Sequence, residues 1–247
     1  MQAFFGALLA RDASGSSWLP ALLAATRHGE ARLGDLLAQP GWLVTPLAVA
    51  TADGRLGAFT YPATPPRDLL SWYVEHPDAL TWPAHAELSA AATRLRRALI
   101  DDDPPGAQVR AQERARDLIG VRSALSREWW RFEETVTLDC VLVTDRLVVT
   151  VKGAGSGPIG PATDWFPRRS QLVRDLEAVR MLSTGRQWAT ILVSDQPLEA
   201  GQDDQLSRAV EEGAPHLDSR ARAELRAAFL GNLTWGEASA AVETATA

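Results

Sequence analysis

Residues 135–152 read TVTLDCVLVTDRLVVTVK, and the fold turns on how they pair. Both halves are dense in β-branched residues, which favour the pleated surface of a strand. Asp145-Arg146 between them supplies a tight reversal, so 135–144 and 147–152 are predicted to be antiparallel neighbours in one sheet. Positions equidistant from the reversal face each other. Asp139, a charged residue inside the apolar first strand, therefore comes within one or two ladder steps of residues 150–152, with Lys152 at the end of the second strand. A carboxylate and an amine are expected to share one end of the sheet.

Toward the C-terminus, a Gly/Pro loop over 153–167 precedes helical periodicity over 169–182 through Leu172, Leu176, Val179 and Leu182. The apolar run 188–193 (WATILV) is a short strand, and reaching it through a helix implies a βαβ connection and a partly parallel sheet. Helices are expected over 203–212 and 219–230, and a polar tail over 239–247. Toward the N-terminus, 107–130 reads as a long helix with Glu113 on its more polar side. Before it, the run Asp101-Asp102-Asp103-Pro104-Pro105-Gly106 breaks the chain. Helices are expected over 66–73 and 83–100, a hairpin from 42–50 and 56–61, and one helix broken near Gly29, or two short ones, over 17–38. The fold class is α/β, a mixed sheet flanked by helices. Residues 1–103 are expected to form a mainly helical region, and 104–238 the sheet-bearing domain.

Composition narrows the function classes. With 46% hydrophobic and 23% charged residues, the 247-residue chain can bury a full core. No stretch approaches the roughly 18 apolar residues of a spanning helix. The opening MQAFFGALLA lacks the basic start of a secretion signal, so a cytoplasmic protein is expected. Lone Cys140 forms no internal disulfide, and four scattered histidines give no zinc-finger spacing. A net charge of -6 provides no overall positive field for nucleic acid, so DNA binding would need a local basic patch. Of the 25 basic residues only Lys152 is lysine.

An Asp on one strand and a lysine on its neighbour resemble the core of the PD-(D/E)XK nuclease superfamily. The segments WWRFEETVTLDCVLVTDRLVVTVKG and TDWFPRRSQLVRDLEAVRML, with the later PHLDSRARAELRAAFLGNLTW, look like a group of uncharacterised bacterial proteins related to these nucleases. That group carries a D/E-x-K tripeptide on the second strand and a QLVRNLE-like helix after it. The likeness covers roughly residues 66–236 and is most specific over 129–182. It implies a restriction-endonuclease-like sheet and Mg²⁺ held by two hard oxygen ligands, with the lysine orienting a metal-bound water. It also implies supporting roles for a Glu on the preceding helix and a Gln on the following one, where Glu113 and Gln171 stand.

The chain departs from that pattern at the second acid. With Lys152 as the motif lysine the tripeptide is Thr150-Val151-Lys152, with threonine in the acid's place. Two residues later it is Lys152-Gly153-Ala154, with lysine for the acid and alanine for the lysine. A lone lysine among arginines favours the first register, since an ammonium and a guanidinium are not interchangeable. The single base change that turns Glu into Lys favours the second. Catalysis would survive if the acid had moved, and Glu177, Glu133 and Glu134 are the candidates for a metal ligand beside Asp139.

The glycines of 155–160 match G-x-G-x-x-G, but Pro158 and Pro161 intervene before the helix, so a mobile loop is expected rather than a dinucleotide site. Arg168, Arg169 and Arg174 form the one basic cluster near the site, with Trp165 beside them. They are candidates for DNA phosphate contacts and base stacking, or else a surface arginine face with an aromatic anchor. The leading expectation is a nuclease-fold protein with a degraded metal site that acts as a nucleic-acid-associated or interaction module. The alternatives are an active Mg²⁺-dependent DNA nuclease with a relocated acid, and a structural partner subunit, in a hetero- or homo-oligomer, that binds no nucleic acid.

Overall fold

A computed structural model describes residues 19–37, 48–51, 66–82, 90–120, 136, 138–144, 146–154, 165–197 and 201–245. They form an α/β protein built on a mixed sheet. Four strands follow residue 139: β2 (Cys140–Val143), β3 (Leu147–Ala154), β4 (Gln187–Ser194) and β5 (Phe229–Thr234). A short strand β1 (Ala48–Thr51) joins at the β2 edge, giving the order β1-β2-β3-β4-β5. The β1–β2 and β2–β3 pairs are antiparallel, while β3–β4 and β4–β5 are parallel.

The predicted reversal sets the central register. Cys140 faces Val151 and Val143 faces Val148, so every pair is equidistant from the turn. Thr144 closes that turn: its N–H donates to the Leu147 carbonyl at 2.8 Å and its Oγ1 accepts from Leu147 N–H at 2.8 Å. The first strand is shorter than the expected 135–144. Asp139 lies in a bend just before β2 rather than in mid-strand, which lets a carboxylate sit at the sheet's end.

Both faces of the sheet are covered, so its strands are apolar on both sides rather than alternating with polar residues. On one face Cys140, Leu142, Leu147, Val149, Val151, Ala189, Ile191 and Val193 share a core with α1 (Leu19–Ala25), α2 (Gly29–Leu37) and α9 (Trp235–Ala245). On the other, Leu192 and Phe229 pack against the crossover helices α6 (Gln171–Ser183), α7 (Gln202–Gly213) and α8 (Ser219–Ala228). Val141 and Val148 meet Ala178 and Val179 of α6 on this same face. Helix α6 starts at a Ser170 cap that accepts from Val173 N–H, and Asp218 caps α8 in the same way.

Helices α3 (Arg67–Glu75), α4 (Ala90–Ile100) and α5 (Ala107–Gly120) form a further cluster with Trp165 and Phe166, the residues just ahead of α6. The break at 103/104 falls between α4 and α5, which pack together, and Asp102 caps α5 by accepting from Gly106 and Gln108 N–H. Helices α1 and α2 meanwhile belong to the sheet's core.

Two local readings also change. Residues 239–245 are part of helix α9, not a tail, because Ala238 and Val242 are buried against the sheet face. The predicted helix 219–230 ends at Ala228, and β5 follows without a loop. Of the run at 42–50, residues 48–50 fall in β1, which pairs with β2, while 42–47 and 56–61, and with them the expected hairpin, lie outside the described residues. The break near Gly29 is real: a Cβ there would collide with the Leu23 carbonyl. The far parts of the helices expected over 83–100 and 107–130, and the glycines of 155–160, lie outside the described residues.

Candidate functional site

Asp139 precedes β2 by one residue and Lys152 is the sixth residue of β3, so the ladder that pairs Cys140 with Val151 sets them opposite each other. Side chains two apart share a face, and Lys152 therefore lies with Val148 and Thr150 on the α6 side. Lys152 Nζ is 3.2 Å from Asp139 Oδ2, which also accepts from Gly153 N–H at 3.0 Å.

A second carboxylate arrives from α6. Asp175 Oδ2 lies 3.6 Å from the same Nζ, so one ammonium bridges two acids. The side chains are 18% exposed for Lys152, 10% for Asp139 and 1% for Asp175. Gln171 Nε2 donates to Asp175 Oδ1 at 2.7 Å, and Arg174 Nη1 donates to Gln171 Oε1 at 3.3 Å. Asp175 Oδ2 is buried and accepts no hydrogen bond. Burial pushes the Asp175 carboxyl up to about 6, against the pull of Lys152 and the Gln171 hydrogen bond.

Asp175 was not among the residues singled out from sequence. Four residues after Gln171, it falls on the same helix face, and that spacing was the available signal. Glu177, the acid nominated on this helix, is two residues further on. At about 100° per residue it points to the opposite side. There it forms a buried network, ion-paired with Arg169 and 2.7 Å from His216 Nε2. Burial pushes its carboxyl up, but Arg169 and His216 more than offset this and leave it below the usual Glu value. Glu177 is not a ligand at the Asp139 site. His216 is a structural partner of Glu177.

The other nominated residues divide. Gln171 belongs to the site through Asp175. Glu113 is exposed on α5, which packs with α3 and α4, and among the described residues no interaction joins it to Asp139 or Lys152. The basic cluster is not a surface face. Arg169 is buried and donates from Nη1 to the Gly213 carbonyl at 2.8 Å, and Arg174 is buried beside Gln171. Only Arg168 is exposed. Trp165 is buried under the Arg96 guanidinium, 4.2 Å from the ring centroid, and so is an anchor rather than a stacking platform. Glu133 and Glu134 lie outside the described residues.

Thr150, the acid's place in one of the two registers, faces Val141 and is buried, with its Oγ1 3.0 Å from Thr190 Oγ1 on β4. Among the described residues, no group of three or more His, Cys, Asp or Glu side chains is arranged to hold a metal, and no helix is long and apolar enough to cross a membrane. Comparison of the chain with protein-family models, with curated proteins and with solved structures finds no match.

Proposed function

We propose that this chain is a nuclease-fold protein that does not hydrolyse phosphodiesters and works as a binding module. The observation that carries the reading is the opposition of Asp139 and Lys152 across the hairpin. Two sheet residues that ligate one small cation must lie on the same face. Directly opposite residues have Cβ atoms about 4.5–5.5 Å apart, whereas the diagonal ones are separated by about 7–8 Å. Position 152 is thus the nearer one to Asp139, and Thr150, opposite Val141, is the diagonal one. This favours the register Lys152-Gly153-Ala154, in which an ammonium replaces the second acid and Ala154 replaces the motif lysine.

The residues do not fit the Mg²⁺ that the family resemblance implies. The Lys152 ammonium lies within 3.6 Å of the Asp139 and Asp175 carboxylates, and a dication there would face it at close range. No chemical step is therefore assigned to a metal. The burial of Arg169, Arg174 and Trp165 removes most of the expected phosphate-binding surface, and the net charge of -6 opposes a general attraction to nucleic acid. Both points favour a protein partner over DNA.

One observation favours a second reading. Asp175 brings another carboxylate beside Asp139, and Mg²⁺ is often held by only one or two carboxylates plus water and substrate phosphates. In this reading the chain is an active DNA nuclease and Asp175 is the relocated acid. A cleavage assay on plasmid and single-stranded DNA with Mg²⁺ or Mn²⁺ separates the two. Inert wild-type protein supports the first reading, and cleavage lost in Asp139→Ala and Asp175→Asn overturns it in favour of the second.

A further inference from the structure

We propose that the Lys152 ammonium stands in the position of a divalent cation, and that Asp139 and Asp175 form a latent oxygen site which this lysine keeps closed. The inference rests on the reading of the centre as a degraded nuclease site. It goes further by assigning Asp175 as a ligand and Lys152 as the resident cation.

Three observations support it. The two oxygens nearest the ammonium, Asp139 Oδ2 and Asp175 Oδ2, come from different elements and converge on one point at 3.2 and 3.6 Å. Both carboxylates are held in place: Gly153 N–H donates to Asp139 Oδ2 itself, and Gln171 Nε2 occupies the other oxygen of Asp175. Asp175 Oδ2 is buried and aimed into the cluster, yet it accepts no hydrogen bond, so its remaining valence is directed at the cation position alone.

Charge and ligand type indicate what the position would accept. Two carboxylates balance a dication, whereas one ammonium leaves a negative charge over. The donors are hard oxygens, with no His or Cys beside them among the described residues, which suits Mg²⁺, Mn²⁺ or Ca²⁺ and not zinc. Lys152 and the metal exclude each other, since both require the same two oxygens. Replacing the lysine by glutamate would supply a third carboxylate directly opposite Asp139.

The test is calorimetric titration of Mn²⁺ into wild-type protein, Lys152→Ala, Lys152→Glu and Lys152→Glu/Asp175→Asn, with melting curves recorded with and without Mn²⁺. Wild type is expected to bind no Mn²⁺ at the site and to melt identically in both buffers. Lys152→Ala should bind one ion, Lys152→Glu should bind it about tenfold tighter or more, and Asp175→Asn should remove that gain. If a variant is unfolded without metal, Mn²⁺ must restore its melting transition. Lysine variants that bind no better than wild type and are not stabilised by Mn²⁺ overturn the inference, as does wild-type protein that binds equally well. Wild type that is inert on DNA while the variants ignore Mn²⁺ removes this inference alone. Wild type that cleaves DNA removes the functional reading itself.

Discussion

Lys152 Nζ lies 3.6 Å from Asp175 Oδ2, linking the end of β3 to the second turn of α6 through a helix residue that is almost fully buried. The same ammonium also holds Asp139, so removing it leaves two carboxylates facing each other in a partly dry pocket. Lys152→Met is expected to destabilise the fold by about 2–4 kcal/mol, the cost of breaking a buried ion pair from one side. Adding Asp175→Asn should recover much of that loss. Urea unfolding of the two single variants and the double variant measures the coupling, and additive effects would show that the contact contributes little.

Asp175 also makes stability depend on pH. Its carboxyl is raised from an ordinary 3.8 to about 6, first by burial, so between those values the folded chain keeps a proton that the unfolded chain has released. This contribution to stability is fully present below about pH 4, declines as pH rises through about 6 and is absent above, an effect of at most about 3 kcal/mol. Asp175→Asn should abolish that slope and make the protein more stable than wild type at neutral pH. Urea midpoints from about pH 4 to pH 8 for both proteins isolate the difference. Parallel curves for the two would contradict it.

Sequence made half of this site legible. The Asp145-Arg146 turn signal implies the pairing, so sequence alone places Asp139 and Lys152 together, as the register bears out. Asp175 could not, because its position depends on how α6 is rotated over the sheet. Tertiary packing of Leu172, Val173 and Leu176 decides that rotation. The burial of Arg169 is hidden for a similar reason: its ion-pair partner Glu177 comes from α6 and the other partner of Glu177, His216, from the segment before α8, and nothing local to Arg169 announces them. Strand β5 was hidden by Gly231 and Asn232, which interrupt its apolar run at a positive φ of 129° and beside a register shift. Helix α9 was hidden by its small residues.

The Arg169–Glu177–His216 network gives a further prediction. Arg169→Ala leaves the Glu177 carboxylate buried beside His216 alone and should cost about 3–5 kcal/mol, whereas exposed Arg168→Ala should change stability by less than about 0.5 kcal/mol. The folded-state pKa of Glu177 is depressed. Its contribution is therefore present above the unfolded value of 4.5 and is lost as pH falls through the folded one. Glu177→Gln should accordingly flatten the acid limb of the stability profile while lowering stability at neutral pH. Equal effects of Arg168→Ala and Arg169→Ala on stability would contradict the burial assigned to Arg169.

Cys140 adjoins the site but faces the opposite side of the sheet, within the core shared with α1 and α9. Burial, with a smaller contribution from Asp139, pushes its thiol up to about 12, so it carries almost no thiolate at neutral pH. A thiol-exchange reagent should label it only on unfolding, with the same denaturant midpoint as the circular dichroism signal. Rapid labelling of the native protein would contradict that placement.

Thr150 and Lys152 together distinguish the two possible motif registers. Thr150 Oγ1 lies 3.0 Å from Thr190 Oγ1 in the interior, so Thr150→Val alone strands a buried hydroxyl and should cost about 1–2 kcal/mol, while Thr150→Val/Thr190→Val should be nearly neutral. Thr150→Glu puts a carboxylate opposite Val141, away from Asp139 and into an apolar neighbourhood. It should destabilise the fold by about 3 kcal/mol or more and create no Mn²⁺ site. The same change at position 152 adds its carboxylate next to Asp139. If Thr150→Glu, and not Lys152→Glu, conferred metal binding in the titration, the acid's place would be 150 and Lys152 would be the motif lysine after all.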